Sequence, residues 1–215
     1  MSKRLSSYKD IMNTLKHLNS LLVIAILFAL SSCQTDVEHA DSLRLENKFD
    51  EAAQLYQKAA DEGDAYATWR LSIAYGNGDG VDFDQEKAFT LLKEAADKGC
   101  KEAECDLSWV YMFGWYGHTD SIKGKQMFDK LIAQDDDNTY IQSHYAELLL
   151  GGAEGLYEKN TEKALRILKQ VKDKDDPYYL WVEGYIYASG IDNIESDYSK
   201  AITYCTKSFE KGRRS

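Results

Sequence analysis

Three sets of side chains in this 215-residue sequence could do chemistry: four cysteines, four histidines and a carboxylate-rich loop. Catalysis needs a nucleophile beside a base, or ligands at metal spacing. His17, His39, His118 and His144 stand alone, with no H-E-x-x-H, G-x-S-x-G, phosphate-cradling G-x-x-x-x-G-K-[ST] or C-x-x-C around them. Each therefore reads as a surface or packed residue. No catalytic or metal-ligating set is assigned, and no cofactor is expected. The loop Asn77-Gly78-Asp79-Gly80-Val81-Asp82-Phe83-Asp84 has neither the D-x-D-x-D-G order nor the distal glutamate of a calcium loop. Its Asp84 is instead placed to cap a helix. The acidic runs Asp135–Asp137 and Asp173–Asp176 read as solvated turns and caps. Cys100 and Cys105 are five residues apart across a helix start, an awkward span for a disulfide, and Cys205 is expected to be a small buried apolar residue.

Cys33 is set apart by what precedes it. Lys3, Arg4, Lys9 and Lys16 lead into an apolar run, Leu21 to Leu30, that ends in Ser31, Ser32 and Cys33. A basic head, a short apolar core and small residues before a cut site describe an export signal. The run is well short of the roughly 20 residues a membrane-spanning helix needs. Leu30-Ser31-Ser32-Cys33 resembles the lipobox of bacterial lipoproteins. That resemblance implies removal of residues 1–32, diacylglycerol on the Cys33 thiol, acylation (palmitate) of the new amino terminus, and a lipid anchor in the cell envelope. Several acyl chains, at about 0.8 kcal/mol per buried methylene, anchor stably. Residues 33–36 would form an acylated tether. An outer-membrane address is expected, with periplasmic and surface-facing leaflets both open. Met12 is an alternative start.

Behind the cysteine, the elements repeat. Leu71, Tyr75, Gly78 and Ala88 recur thirty-six residues on as Leu107, Tyr111, Gly114 and Gly124, and more loosely as Tyr145, Leu149, Gly152 and Ala164, then Glu183, Tyr187, Gly190 and Ala201. Ala52, Ala59, Ala60 and Gly63 stand upstream of Ala88, Ala95, Ala96 and Gly99 at the same offset. In the clearest copy, Ala67, Leu71, Ala74 and Tyr75 share one helical face. Gly76, Gly78 and Gly80 end that helix, Asp84 caps the next, and Ala88, Leu91, Leu92, Ala95 and Ala96 give the second helix its apolar face. Such a pair buries its apolar surface only against neighbouring pairs, which is why repeats stack. Five pairs are expected, at 36–64, 65–100, 101–137, 138–176 and 177–215, the domain running from 37 to 215.

The unit resembles the Sel1-like repeat, a relative of the tetratricopeptide repeat, through Ala67, Leu71, Tyr75, Gly78, Gly80, Val81, Asp84, Lys87, Ala88, Ala95, Ala96 and Gly99. Ser72 stands where the family usually has glycine, which returns as Gly184. The match is fair at 101–137 and weakest at 138–176, where two extra residues lengthen the loop around Gly151, Gly152 and Gly155. The resemblance implies an all-α fold, a right-handed α-solenoid. Asp176 and Pro177 suit the cap and first residue of the final pair. No polar capping helix follows it, so either the last helix caps itself or that edge is a contact surface.

Removing residues 1–32, which hold four basic residues and one acid, takes the net charge from −10 to −13. A surface that acidic repels phosphate backbones, and no nucleic-acid partner is expected. With the first helix of each pair lining the concave side, as in tetratricopeptide arrays, Tyr66, Trp69 and Ile73 face a groove. The same register adds Glu102, Trp109 and Phe113, then Tyr140 and Glu147, then Tyr178, Trp181 and Tyr185. Aromatic anchors among acids suit a peptide or protein segment; packing of the same rings between repeats is the competing reading. The expected function is non-catalytic: a scaffold or adaptor for an unknown protein or peptide. Immunity or inhibitor proteins against secreted effectors are a more specific version. Groove binding of envelope glycan such as peptidoglycan is a third possibility. The enzymatic rival is β-lactam hydrolysis, linked to disulfide-rich members whose cysteine pattern this chain lacks.

Overall fold

The structure, a computed structural model, describes residues 36–134, 137–191 and 194–212. The export segment, Cys33, His17 and Asp135–Asp136 lie outside the described residues. Of the described residues, 74% are helical. Ten α-helices follow one another: α1 (36–45), α2 (Phe49–Asp61), α3 (Ala65–Asn77), α4 (Gln85–Asp97), α5 (Lys101–Phe113), α6 (Ser121–Gln134), α7 (Thr139–Gly151), α8 (Thr161–Gln170), α9 (Pro177–Ser189) and α10 (Tyr198–Glu210). Among the described residues there is no strand, only isolated bridges at Ala153–Tyr157 and Ile191–Ile194. These lie in the loops of the last two pairs.

Asp and Asn start most of these helices. Asp64, Asp84, Asn138, Asn160, Asp176 and Asp197 cap α3, α4, α7, α8, α9 and α10, each accepting from a backbone N–H two or three residues on. Asp120 does the same for Lys123 at the start of α6. Each such cap contributes about 1 kcal/mol, and together they account for part of the acidic balance. Pro177 is the first residue of α9, where its missing N–H costs nothing.

One device closes four of the hairpins. The N–H of the residue capping the second helix donates to a carbonyl near the end of the first: Asp84 to Tyr75, Asp120 to Tyr111, Asn160 to Leu149 and Asp197 to Tyr187, at 2.7–2.9 Å. Three residues past each cap a lysine reaches back over a tyrosine ring, Lys87 on Tyr75, Lys123 on Tyr111, Lys163 on Tyr145 and Lys200 on Tyr187. The repeat spacing thus encodes a recurring turn, cap and cation–π contact.

Small residues let the helices approach. Ala59, Ala67, Ala88, Ala95, Ala103, Ala146 and Ala164 are fully buried between larger Leu71, Val110, Phe128, Leu131, Ile141, Val182 and Ile186. Of the three glycines expected to end α3, Gly78 does so in the left-handed region at φ +76°. Gly76 instead lies inside the helix, and its role is close approach: a Cβ there would stand 2.5 Å from the Tyr116 hydroxyl.

Cys205 corrects an expectation. It is exposed, whereas Leu92, at the matching position of α4, is buried against α5 residues. On α10, Tyr198, Ile202 and Phe209 are likewise each more than 60% exposed. The Cys205 thiol rests over Gly184, where a Cβ would come within 2.6 Å of it.

Candidate functional site

The inner helices α3, α5, α7 and α9 bring most of the predicted groove residues into one connected set of rings. Tyr66 meets Trp69 (5.3 Å between centroids), Trp69 meets Tyr140 (5.6 Å), and Tyr140 meets Tyr178 (5.5 Å). Tyr178 continues to Trp181 and on to Tyr185 (5.7 and 6.0 Å). A branch runs through His144, which stacks on Tyr178 at 3.6 Å and meets Trp109 edge-on, with Phe113 and Trp115 beyond. The middle of the ladder is buried: Trp69, Trp109 and Tyr178 pack between successive repeats, as the competing reading expects. Phe113 (40%) and Tyr185 (38%) are the exposed ends.

Beside the ladder lies a concave chamber of about 670 Å³. Tyr66, Trp69, Ile73, Tyr140 and Tyr178 line it; Trp109, Phe113, Trp181 and Tyr185 do not. At one end Arg44, Phe209 and Gly212 form its wall. Arg44 Nη1 donates to the Gly212 carbonyl at 2.7 Å, so the end of the last helix touches the first pair and the array curls round the chamber.

Besides Glu102, which the register placed here, the chamber holds polar residues that the register missed. Asp106, on α5, accepts from the Trp69 indole Nε1–H and the Tyr140 hydroxyl, both at 2.7 Å, one on each carboxylate oxygen. Burial pushes its carboxyl up to about 6 against the opposing effect of these two hydrogen bonds. Arg70 stacks on Trp69 and Tyr66, pairs with Asp41 at 3.3 Å, and donates to the Tyr66 hydroxyl. Glu102 accepts from the Asn138 amide. Asp176 caps α9 with its carboxyl raised chiefly by burial. Arg70 and Asp106 hold the same repeat position thirty-six residues apart, one step past the predicted ring; that offset was the available signal. Glu147, also in the predicted register, does not line the chamber; it accepts from the Tyr178 hydroxyl.

Cys105, Asp106 and His144 offer ligand atoms within 4.8 Å of one another. The donor set suits packing better than a metal. His144 Nδ1 is held by the Tyr140 carbonyl, and burial pushes the Cys105 thiol far above its ordinary value, against thiolate formation. Cys100 is likewise pushed up to about 12, mainly by burial. In the other loops, His118 stacks on Phe89 at 3.6 Å, and Asp84 is committed to its cap.

The Sel1 repeat family matches residues 43–64, 65–100, 142–176 and 184–212, more than half of the chain. This chain belongs to that family, whose members form a protein-interaction scaffold type and are generally non-catalytic. The pair at 101–137, expected to match better than 138–176, is the one passed over. At the offset from the clearest copy it carries Tyr116 for Gly80, Gly117 for Val81, and Leu131 and Ile132 for Ala95 and Ala96. Its turn is a short 3₁₀ segment, Trp115–Gly117, with Tyr116 at φ 55°. The longer loop of the next pair, by contrast, leaves its helices intact.

Among solved structures, a putative Sel1 repeat protein from Klebsiella pneumoniae is similar at TM-score 0.57 and 22% identity, covering 84% of this chain and 87% of that one. A Sel1 repeat protein from Oxalobacter formigenes is similar at 0.51 and 23% identity, over 82% and 70%. Among curated proteins, an exopolysaccharide production negative regulator from Rhizobium leguminosarum bv. viciae is 25% identical over 150 residues, or 64% of this chain. The chain spans about half (55%) of that relative's length.

Proposed function

We propose that this protein is a lipid-anchored adaptor of the bacterial cell envelope that holds a segment of another protein in its concave chamber. The observation that carries the reading is the chamber itself: an enclosure of about 670 Å³ walled by Trp69, Tyr140 and Tyr178, with Asp106, Glu102 and Arg70 among the rings. Concave sites with aromatic walls and a few placed polar groups are suited to recognition, and Sel1 repeat proteins bind protein partners. The anchor rests on the basic head, short apolar run and Leu30-Ser31-Ser32-Cys33 of the sequence. Among the described residues no helix is long and apolar enough to cross a membrane, which is compatible with lipid as the attachment. Outer-membrane placement rests on the short polar, acidic stretch after Cys33, Gln34-Thr35-Asp36-Val37-Glu38.

The test is capture from detergent-solubilised envelopes with the parent protein and a chamber-filling Ile73→Trp variant. The expected result is a reproducible partner that the variant loses while keeping the parent's circular dichroism. Recovery of the same proteins by both would contradict chamber binding. A Cys33→Ala variant that remained in the membrane fraction would contradict the anchor.

A further inference from the structure

Charge inside the chamber is unbalanced. Its walls carry five carboxylates, Asp79, Glu102, Asp106, Asp176 and Glu210, against two guanidiniums, Arg44 and Arg70. Both guanidiniums already lie beside another carboxylate, Asp41, at 3.9 and 3.3 Å. Among the described residues, Glu102, Asp106 and Asp176 have no basic side chain within ion-pair distance; their hydrogen-bond donors are neutral, the Trp69 indole, the Tyr140 hydroxyl, the Asn138 amide, the Cys100 thiol and backbone N–H groups. Neutral donors orient a carboxylate without cancelling its charge, and a carboxylate out of bulk water is stabilised most by a cation. Each Asp106 oxygen keeps a lone pair beyond the one donor it accepts. The faces of the neighbouring Trp69 and Tyr140 rings attract a cation more than a neutral group, and Arg70 stacked on Trp69 shows that this wall accepts one.

We infer that the chamber is a receptor for an alkylammonium group, a lysine side chain of the bound protein segment, seated against Asp106 with Glu102 beside it and the Trp69 and Tyr140 rings around its methylenes. This rests on the chamber-binding reading and gives it a chemistry. An ammonium suits the site better than a guanidinium, because the two Asp106 oxygens are separately engaged and a point charge with three rotatable donors can use the remaining lone pairs, whereas a planar fork wants both oxygens open on one edge. Seating the cation holds Asp106 ionised, so binding weakens as pH falls through about 6. The groups facing Asp106 across that range are Arg70 and Tyr66 from α3, Glu102 and Cys105 on its own helix, Tyr116 of the 3₁₀ turn, Tyr140 and His144 from α7, and Asp176 and Tyr178 from α9.

The experiment titrates the full chain with Nα-acetyl-lysine methylamide and, separately, with its Nε-acetylated and arginine counterparts, following the Trp69 indole N–H signal by NMR. The signal is assigned by its absence in Trp69→Phe. The lysine probe is expected to shift that signal saturably at pH 7.5, to bind at least tenfold more tightly than the Nε-acetylated probe and more tightly than the arginine probe, and to weaken by about tenfold or somewhat less at pH 5. Asp106→Asn and, as a milder second variant, Glu102→Gln are each expected to weaken binding with the indole spectrum otherwise retained. Equal binding of the acetylated probe, tighter binding of the arginine probe, no saturable shift, or full binding by Asp106→Asn would overturn the inference. A partner still lost on Ile73→Trp would then leave chamber binding standing; a partner indifferent to both would remove it too.

Discussion

The indole N–H of Trp69 donates to Asp106 at 2.7 Å across the joint between the second and third helix pairs. The Tyr140 hydroxyl completes the arrangement from the fourth pair. One carboxylate therefore ties three successive repeats together on their concave side. The stacking that gives a solenoid its stability and the chamber that the solenoid encloses share a residue.

The first prediction concerns that carboxylate. Its folded value of about 6 lies above its ordinary 3.8, so the folded state binds the proton more tightly than the unfolded state. Asp106 thus contributes stability that is fully present below about pH 4 and lost as pH rises through about 6, about 2–3 kcal/mol in all. Melting temperatures of the parent and Asp106→Asn, compared at pH 4.5 and 7.5, should diverge with pH. The variant should lack this component of the decline.

Ring by ring, the ladder should divide into frame and edge. Trp69→Ala and Trp109→Ala remove buried rings and should each cost about 3–5 kcal/mol. Phe113→Ala and Tyr185→Ala, at the exposed ends, should cost about 1 kcal/mol or less. Urea denaturation of the four variants checks the contrast.

Gly76 should behave unlike an ordinary helical glycine. Alanine there gains helix propensity of about 1 kcal/mol but would press on the Tyr116 hydroxyl. Gly76→Ala is expected to destabilise by about 1–3 kcal/mol, and adding Tyr116→Phe should restore most of the loss. A double-mutant cycle with no coupling would refute that contact.

Thiol chemistry reports the exposed face of α10. Cys205 is exposed while Cys100 and Cys105 are buried with thiols shifted upward. Native protein should lose one rapidly reacting thiol equivalent on Cys205→Ser. Cys100→Ser and Cys105→Ser should leave the rapid phase unchanged until denaturant is added.

Local chemistry explains which parts were legible from sequence. Caps such as Asp84 and Asp176 and the turn glycine Gly78 depend on residues within about a dozen positions of one another, and local pattern exposed each one; the Lys87 contact over Tyr75 came only with the structure. Helical register also placed Tyr66, Trp69, Tyr140 and Tyr178 on the inner face. Register could not say which rings the next repeat would cover, because burial of Trp69 and Trp109 depends on how closely neighbouring pairs approach. Asp106 and Arg70 were hidden for a related reason. Their polarity marks them as surface residues until the array curls far enough for Arg44 to reach Gly212, 168 residues away. Cys205 was misjudged by carrying over the burial of Leu92, which depends on α5 packing against α4. The pair at 101–137 keeps Leu107, Tyr111 and Gly114, which carried the resemblance, but loses the alanines that define the family pattern.

The most direct test of chamber recognition is site-specific photo-crosslinking in intact cells, with p-benzoylphenylalanine at Ile73 on the chamber wall and, as control, at exposed Glu94 on the outer helix α4. The account predicts a discrete crosslinked partner from position 73 that is absent from position 94 and diminished by Asp106→Asn. Crosslinking to the same partner from position 94 alone, or equally from both positions, would contradict it.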